Sequence, residues 1–134
     1  MTLYVDSSAL LKRYLSEPDS DAAEGLLLSD PELVTGRHTA VEVRRSLAKQ
    51  LEARELAEAQ ERFRRDLQVL VVIELTEEVC EAAAGFAESI GVRSLDALHL
   101  GAAHEAGSGR FPFLTYDIRQ AQAARGLGWT VLGA

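Results

Sequence analysis

Short apolar or β-branched runs alternate with longer stretches of helical periodicity, and this alternation restricts the chain to an α/β architecture. The runs are Leu3 to Val5, Glu32 to Thr35, Leu70 to Glu74, Phe113 to Tyr116 and Trp129 to Leu132. After the first run, Asp6-Ser7-Ser8 turns into Ala9, Leu10, Leu11 and Tyr14 at helical spacing. Ser20 to Leu28 makes a second helix closed by Asp30-Pro31. Ala40, Val43, Leu47 and Leu51 mark one face of a helix from Thr39, and Leu56, Ala59, Phe63 and Leu67 mark the next. Thr76 caps a helix through Val79, Ala83, Phe86 and Ile90 that Gly91 ends. Ser94 opens another through Leu95, Leu98, Ala102 and Ala106, and the Gly107-Ser108-Gly109 turn leads to the fourth strand. Asp117 starts a last helix to Arg125. Strands alternating with helices in this way predict a parallel sheet sandwiched between helices. Leu70 to Glu74 lacks polar alternation, which predicts a strand covered on both faces.

At 134 residues the chain has the size of one domain, spanning 1–134. Its longest apolar run, Val69 to Ile73, is far short of the roughly 20 residues a membrane span requires. With no signal-peptide layout at the N-terminus either, the expected location is cytoplasmic. Cys80 is the only cysteine, which excludes an internal disulfide or a cysteine zinc site within one chain and reads as a core thiol. A balance of 14 basic against 21 acidic residues, net −7, argues against a general electrostatic coat for nucleic acid. It leaves open an acidic cleft that repels phosphate when empty and recruits it through divalent cations.

In open parallel sheets the ligand site lies beyond the carboxyl ends of the strands. Asp6 follows the first strand and Asp117 the fourth, while Glu42 and Asp96 open helices. Each acid also has a structural reading. Thr39 to Glu42 has the form of a capping box, Asp96 sits in a first turn behind Ser94, and Asp6 and Asp117 are suited to helix capping. Brought to one rim, however, four carboxylates raise one another's pKa unless a cation intervenes. Mg²⁺, with Mn²⁺ as a substitute, suits such oxygen ligands and serves phosphodiester hydrolysis.

The other motifs offer less. His99 and His104 are separated by about 140° on a helix, which excludes a paired metal site of the i, i+4 type. His99 follows Asp96 by one turn and is placed to orient that carboxylate, or else is a structural histidine. His38 has no identifiable partner. Ser7 and Ser8 lack a histidine for nucleophilic work, so Ser8 reads as a hydrogen-bond partner of Asp6 or as a cap. Pro112 stands where a dinucleotide loop would need its third glycine.

The blocks Tyr4-Val5-Asp6-Ser7-Ser8-Ala9-Leu10, Thr39-Ala40-Val41-Glu42-Val43, Ser94-Leu95-Asp96-Ala97-Leu98-His99-Leu100 and Leu114-Thr115-Tyr116-Asp117, in this order and over this length, resemble the PIN-domain ribonucleases. More narrowly, they resemble the VapC toxins of VapBC toxin-antitoxin modules. The resemblance implies a three-layer PIN-like fold with a parallel five-stranded sheet in the order 3-2-1-4-5. It also implies an acidic centre of Asp6, Glu42, Asp96 and Asp117 that binds Mg²⁺ or Mn²⁺, supported by Ser8 and Thr115. The implied activity is that of an endoribonuclease using a metal-activated water, and the implied partners are RNA, a VapB-type antitoxin and a second copy of the chain. Val43, Leu47, Leu51, Leu56, Ala59 and Phe63 are compatible with an internal core or with a groove for a partner helix. Arg44, Arg45, Arg62, Arg64 and Arg65 are compatible with RNA contact or with a solvated, ion-paired surface.

A non-catalytic PIN-like or receiver-like metal-binding module is the alternative. A phospho-receiver needs an acceptor Asp after its third strand and a lysine after its fifth. Here the third-strand exit is Glu74-Leu75-Thr76, and no lysine follows Lys49.

Overall fold

The structure is a computed structural model that describes residues 2–29, 32–107 and 109–134. Asp30-Pro31 and the centre of the Gly107 to Gly109 turn therefore lie outside the described residues. In chain order the elements are β1 (Thr2–Val5), α1 (Ser7–Leu11), α2 (Ser20–Leu28), β2 (Glu32–Gly36), α3 (Thr39–Gln50), α4 (Ala53–Val69), β3 (Val71–Ile73), α5 (Glu77–Ile90), α6 (Ser94–Gly107), β4 (Phe113–Thr115), α7 (Ile118–Gly126) and β5 (Val131–Gly133). All strand pairs are parallel, in the order β3-β2-β1-β4-β5, so the expected topology is the observed one.

β1 lies at the centre, its Tyr4 in register with Val34 of β2 on one side and Phe113 of β4 on the other. Alternating side chains leave a strand on opposite faces. Leu3 and Val5 accordingly pack with Ala9, Leu27 and Leu114, while Tyr4 packs with Val34, Val79, Leu100 and Phe113. β1 and β4 are thus apolar on both faces. Strand order reverses between them, and this places the ligand crevice at the exits of β1 and β4.

The faces of α3 and α4 close on each other and on α1, burying Leu10, Tyr14, Val43, Leu47, Ala59 and Phe63 in one cluster. The intramolecular reading of that apolar surface is therefore the observed one. Arg44, Arg45, Arg62, Arg64 and Arg65 are all exposed, and Arg64 pairs with Glu61 on its own helix. Thr76 caps α5 by accepting from the Val79 N–H, and Gly91 ends the helix at φ 70°.

Several local expectations differ. β3 is an edge strand, and Val71 is 42% exposed, because nothing pairs beyond it in the sheet. An apolar run without alternation is equally the pattern of a short edge. Cys80 is exposed, since α5 turns Val79 and Ala83 inward and the next residue round points to solvent. α1 stops at Leu11, and Tyr14 reaches the core from a following turn, anchored by its hydroxyl donating to Asp66 at 2.6 Å. The capping box at α3 does not form. His38 takes the N-cap position, Thr39 turns its hydroxyl to Thr35 at 2.7 Å, and Glu42 is left free to face the sheet.

Candidate active site

Asp6 leaves the carboxyl end of β1 and caps α1, accepting the Ala9 N–H at 3.1 Å. The same Oδ1 takes the Ser8 hydroxyl at 2.6 Å, and Oδ2 takes that of Thr115 at 2.5 Å. Asp6 is only 4% exposed, and burial pushes its carboxyl pKa up against the opposing pull of His99, Ser8 and Thr115. The two supporting hydroxyls are themselves held. Ser8 Oγ accepts the Tyr116 N–H at 2.9 Å and Thr115 Oγ1 accepts the Asp117 N–H at 3.1 Å. Thr115 therefore ties Asp6 directly to the start of the segment that carries Asp117.

Asp117 caps α7, with Oδ1 accepting from the Arg119 and Gln120 N–H groups at 2.9 and 3.2 Å. Its other oxygen turns toward α6, where Arg93 lies between two acids. Arg93 Nε donates to Asp96 Oδ2 at 3.1 Å, and its Nη2 is 3.5 Å from Asp117 Oδ2. Asp96 and Asp117 thus converge on a single cation. Gln120 ties the same two segments together from inside, donating to the Asp96 backbone carbonyl at 3.0 Å. Beside them, Arg93, Asp96, Arg119, Gln122 and Ala123 line a cleft of about 400 Å³.

Glu42 approaches from α3. Its Oε1 accepts the Ser7 hydroxyl at 2.6 Å and lies 2.7 Å from His99 Nε2 and 3.8 Å from His38 Nε2. Burial would raise its pKa, but the bonds from His99 and Ser7 hold it below the ordinary glutamate value. The His38 and His99 rings lie 4.0 Å apart. Burial and the neighbouring His99 push His38 down to about 4, so its ring is neutral. Neither of its ring nitrogens has a hydrogen-bond partner of normal geometry, although the Leu95 backbone lies close enough to favour the protonated form.

The four acids meet the site in unequal ways. Asp6, Ser8, Thr115 and Asp117 form one hydrogen-bonded chain, and Arg93 extends it to Asp96. Glu42 joins through Ser7, the residue after Asp6, and sits with two histidines. Among the described residues, the compact three-ligand group is His38, Glu42 and His99, whose ligand atoms lie within 4.8 Å of one another; no three of the four acids form one. Donor chemistry still fits a hard divalent ion. Mg²⁺ is held by one or two carboxylates plus water and phosphate, and Asp96 with Asp117 already share one positive group.

His99 does not orient Asp96. α6 is buried along its His99, Leu100 and Ala103 face, which aims His99 inward at Glu42, while Asp96 stays on the rim. Tyr4, Ser7, His38, Arg93 and Gln120 also belong to the site, beyond the residues the sequence points to. Arg93 and His38 had a usable signal, standing three residues before Asp96 and four before Glu42. Tyr4 had none, because a strand tyrosine reads as core.

Comparison with known proteins identifies the family and the fold. Residues 3–126 match the family model for the PIN domain. The chain belongs to the PIN-domain family. Among PIN proteins, it is 33% identical over 130 residues to Ribonuclease VapC46 of Mycobacterium tuberculosis, covering 97% of this chain and 95% of the relative. The crystal structure of M. tuberculosis VapC20, described as a Sarcin-Ricin loop cleaving toxin, superposes with a TM-score of 0.74 at 19% identity, over 90% of this chain and 94% of that one. A toxin-antitoxin complex from Klebsiella pneumoniae gives a TM-score of 0.68 at 17% identity, over 90% and 89% of the two chains. The PIN fold and the relation to VapC proteins are thereby shown. Among the described residues no helix is long and apolar enough to cross a membrane.

Proposed function

We propose that this chain, one PIN domain across 1–134, is a metal-dependent endoribonuclease and the toxin of a type II toxin-antitoxin pair. Asp6, Glu42, Asp96 and Asp117 are its acidic centre, with Ser8 and Thr115 in support. The observation that carries the reading is the convergence of Asp96 and Asp117 on one cationic group, beside a buried Asp6 tied to Asp117 through Thr115. VapC46, the ribonuclease covered nearly end to end, supports the reaction class.

Mg²⁺ or Mn²⁺ bound there would supply Lewis acidity toward a phosphoryl oxygen and acidify water near neutral pH. The chain's residues supply the rest. Ser8 and Thr115 fix both Asp6 oxygens and so set the direction of its remaining lone pairs. The α7 N-terminus fixes Asp117 through Oδ1 and leaves Oδ2 turned toward Arg93. Arg93 and Arg119, at the cleft, are positioned to receive backbone phosphate once the carboxylates are neutralised. A VapB-type antitoxin and a homodimer complete the proposal, the former supported by the likeness to the Klebsiella toxin-antitoxin complex.

Asp6→Asn and Asp96→Asn should each reduce Mg²⁺-dependent RNA cleavage by about 100–1000-fold, as loss of a group central to transition-state charge does. Both variants should keep the wild-type circular dichroism spectrum. Chelation of the ion should do the same to the wild type. Full cleavage by either variant would remove the mechanism, and sequencing of new RNA 5′ ends after expression identifies the substrate.

A further inference from the structure

Glu42 is the acid of the four held from the interior of the fold, and the residues behind it form a connected line. Tyr4 is 1% exposed and stacks on Phe113 with ring centroids 5.1 Å apart. Its hydroxyl oxygen lies 2.9 Å from His99 Nδ1. The carboxylate oxygen at the other ring nitrogen can only accept, which leaves Nδ1 of the neutral ring to accept the phenol's proton. An imidazole that accepts at Nδ1 carries its hydrogen at Nε2. His99 Nε2 is 2.7 Å from Glu42 Oε1 and 3.2 Å from Ser7 Oγ.

We infer that Tyr4 and His99 form a buried hydrogen-bond relay that positions Glu42, pinning Oε1 and leaving Oε2 for the divalent ion; the inference rests on the acidic centre proposed above. His99 is here a positioning residue.

Two features protect the relay. A Cβ on Gly36 would fall 2.6 Å from His38 Cε1 and 3.2 Å from the Tyr4 hydroxyl, so only glycine lets β2 approach this closely. The His38 ring, its centroid 4.0 Å from that of His99, then covers the relay. Hydrogen-bonded partners behind a metal ligand commonly affect ion affinity by about 10–100-fold.

The test uses the full chain without RNA. Mn²⁺ affinity is measured by calorimetry for the wild type, His99→Gln and His99→Asn, with circular dichroism on each. The longer glutamine amide reaches the Nε2 position and the shorter asparagine amide does not. His99→Gln should stay within a few-fold of the wild type and His99→Asn should lose about 10–100-fold. In parallel, ¹⁵N NMR of the ion-free protein should show His99 as the Nε2–H tautomer, with Tyr4→Phe producing a mixture. Equal Mn²⁺ affinity in all three proteins, or an Nδ1–H tautomer in the wild type, overturns the relay. A wild type that binds no Mn²⁺ instead overturns the acidic-centre reading itself and takes the relay's role with it.

Discussion

Asp6 and Asp117 are visible in the sequence because their positions are local, each directly after an apolar strand and before a helix. The directions of side chains on α6 are not local. Whether His99 meets Asp96 or Glu42 depends on which side of α6 the sheet covers, and spacing within one helix carries no record of that. His38 shows the same limit in part, since Glu42 stands one turn along its own helix but the contact with His99 and the burial that sets its pKa come from elsewhere in the fold. That shift has a pH consequence. The unfolded ring takes up a proton near pH 6.5 and the folded ring only near 4, so the unfolded state binds more protons between these values. The His38 contribution to stability is full above pH 6.5 and falls, on the order of 2 kcal/mol, as pH drops toward 4. Asp6, its carboxyl raised by burial, has the opposite sign as acid is added, and Glu42 loses stability only below its ordinary unfolded range. Urea melts of wild type and His38→Gln at pH 7 and 4.5 isolate the histidine part. The variant should lose less stability on acidification, and parallel losses would assign the effect to another group.

Helices and strands were legible in type and order because alternation of period 2 and period 3.6 survives in the sequence even where boundaries do not. The status of β3 was not legible, because an edge is defined by what fails to pair with it. Closeness between elements was also hidden. α5 and α6 touch at Gly101, where a Cβ would lie 2.7 Å from the Val79 carbonyl oxygen and 3.1 Å from the Ala83 Cβ and N. Backbone cannot yield as a flexible side-chain tip can. Gly101→Ala should therefore destabilise by about 1–2 kcal/mol, with the strain of overpacking exceeding the helix-propensity gain of roughly 1 kcal/mol. Thermal melting would register this as a drop of roughly 5 °C. Because α6 also carries Asp96 and His99, the same variant should lose RNA cleavage in part. A rise in melting temperature would show that the two helices have room to part.

For the molecule as a whole, a net charge of −7 with several carboxylates at one rim means that divalent cations should act as structural ligands as well as chemical ones. An ion that binds only the native state stabilises it by about 2.7 kcal/mol at 100 times its dissociation constant. Mn²⁺ should accordingly raise the melting temperature of the wild type by several degrees and that of Asp96→Asn by much less. An equal rise in both would place the ion elsewhere. The central pairing of β1 with β4 carries a further consequence. Tyr4 is in register with Phe113, and Asp6 is clasped by Thr115, so stretches of chain 109 residues apart must meet before the proposed centre exists. On the proposed function, a ribosome that has not yet released Thr115 and Asp117 holds a fragment without that centre, and translation that aborts before them yields no active nuclease.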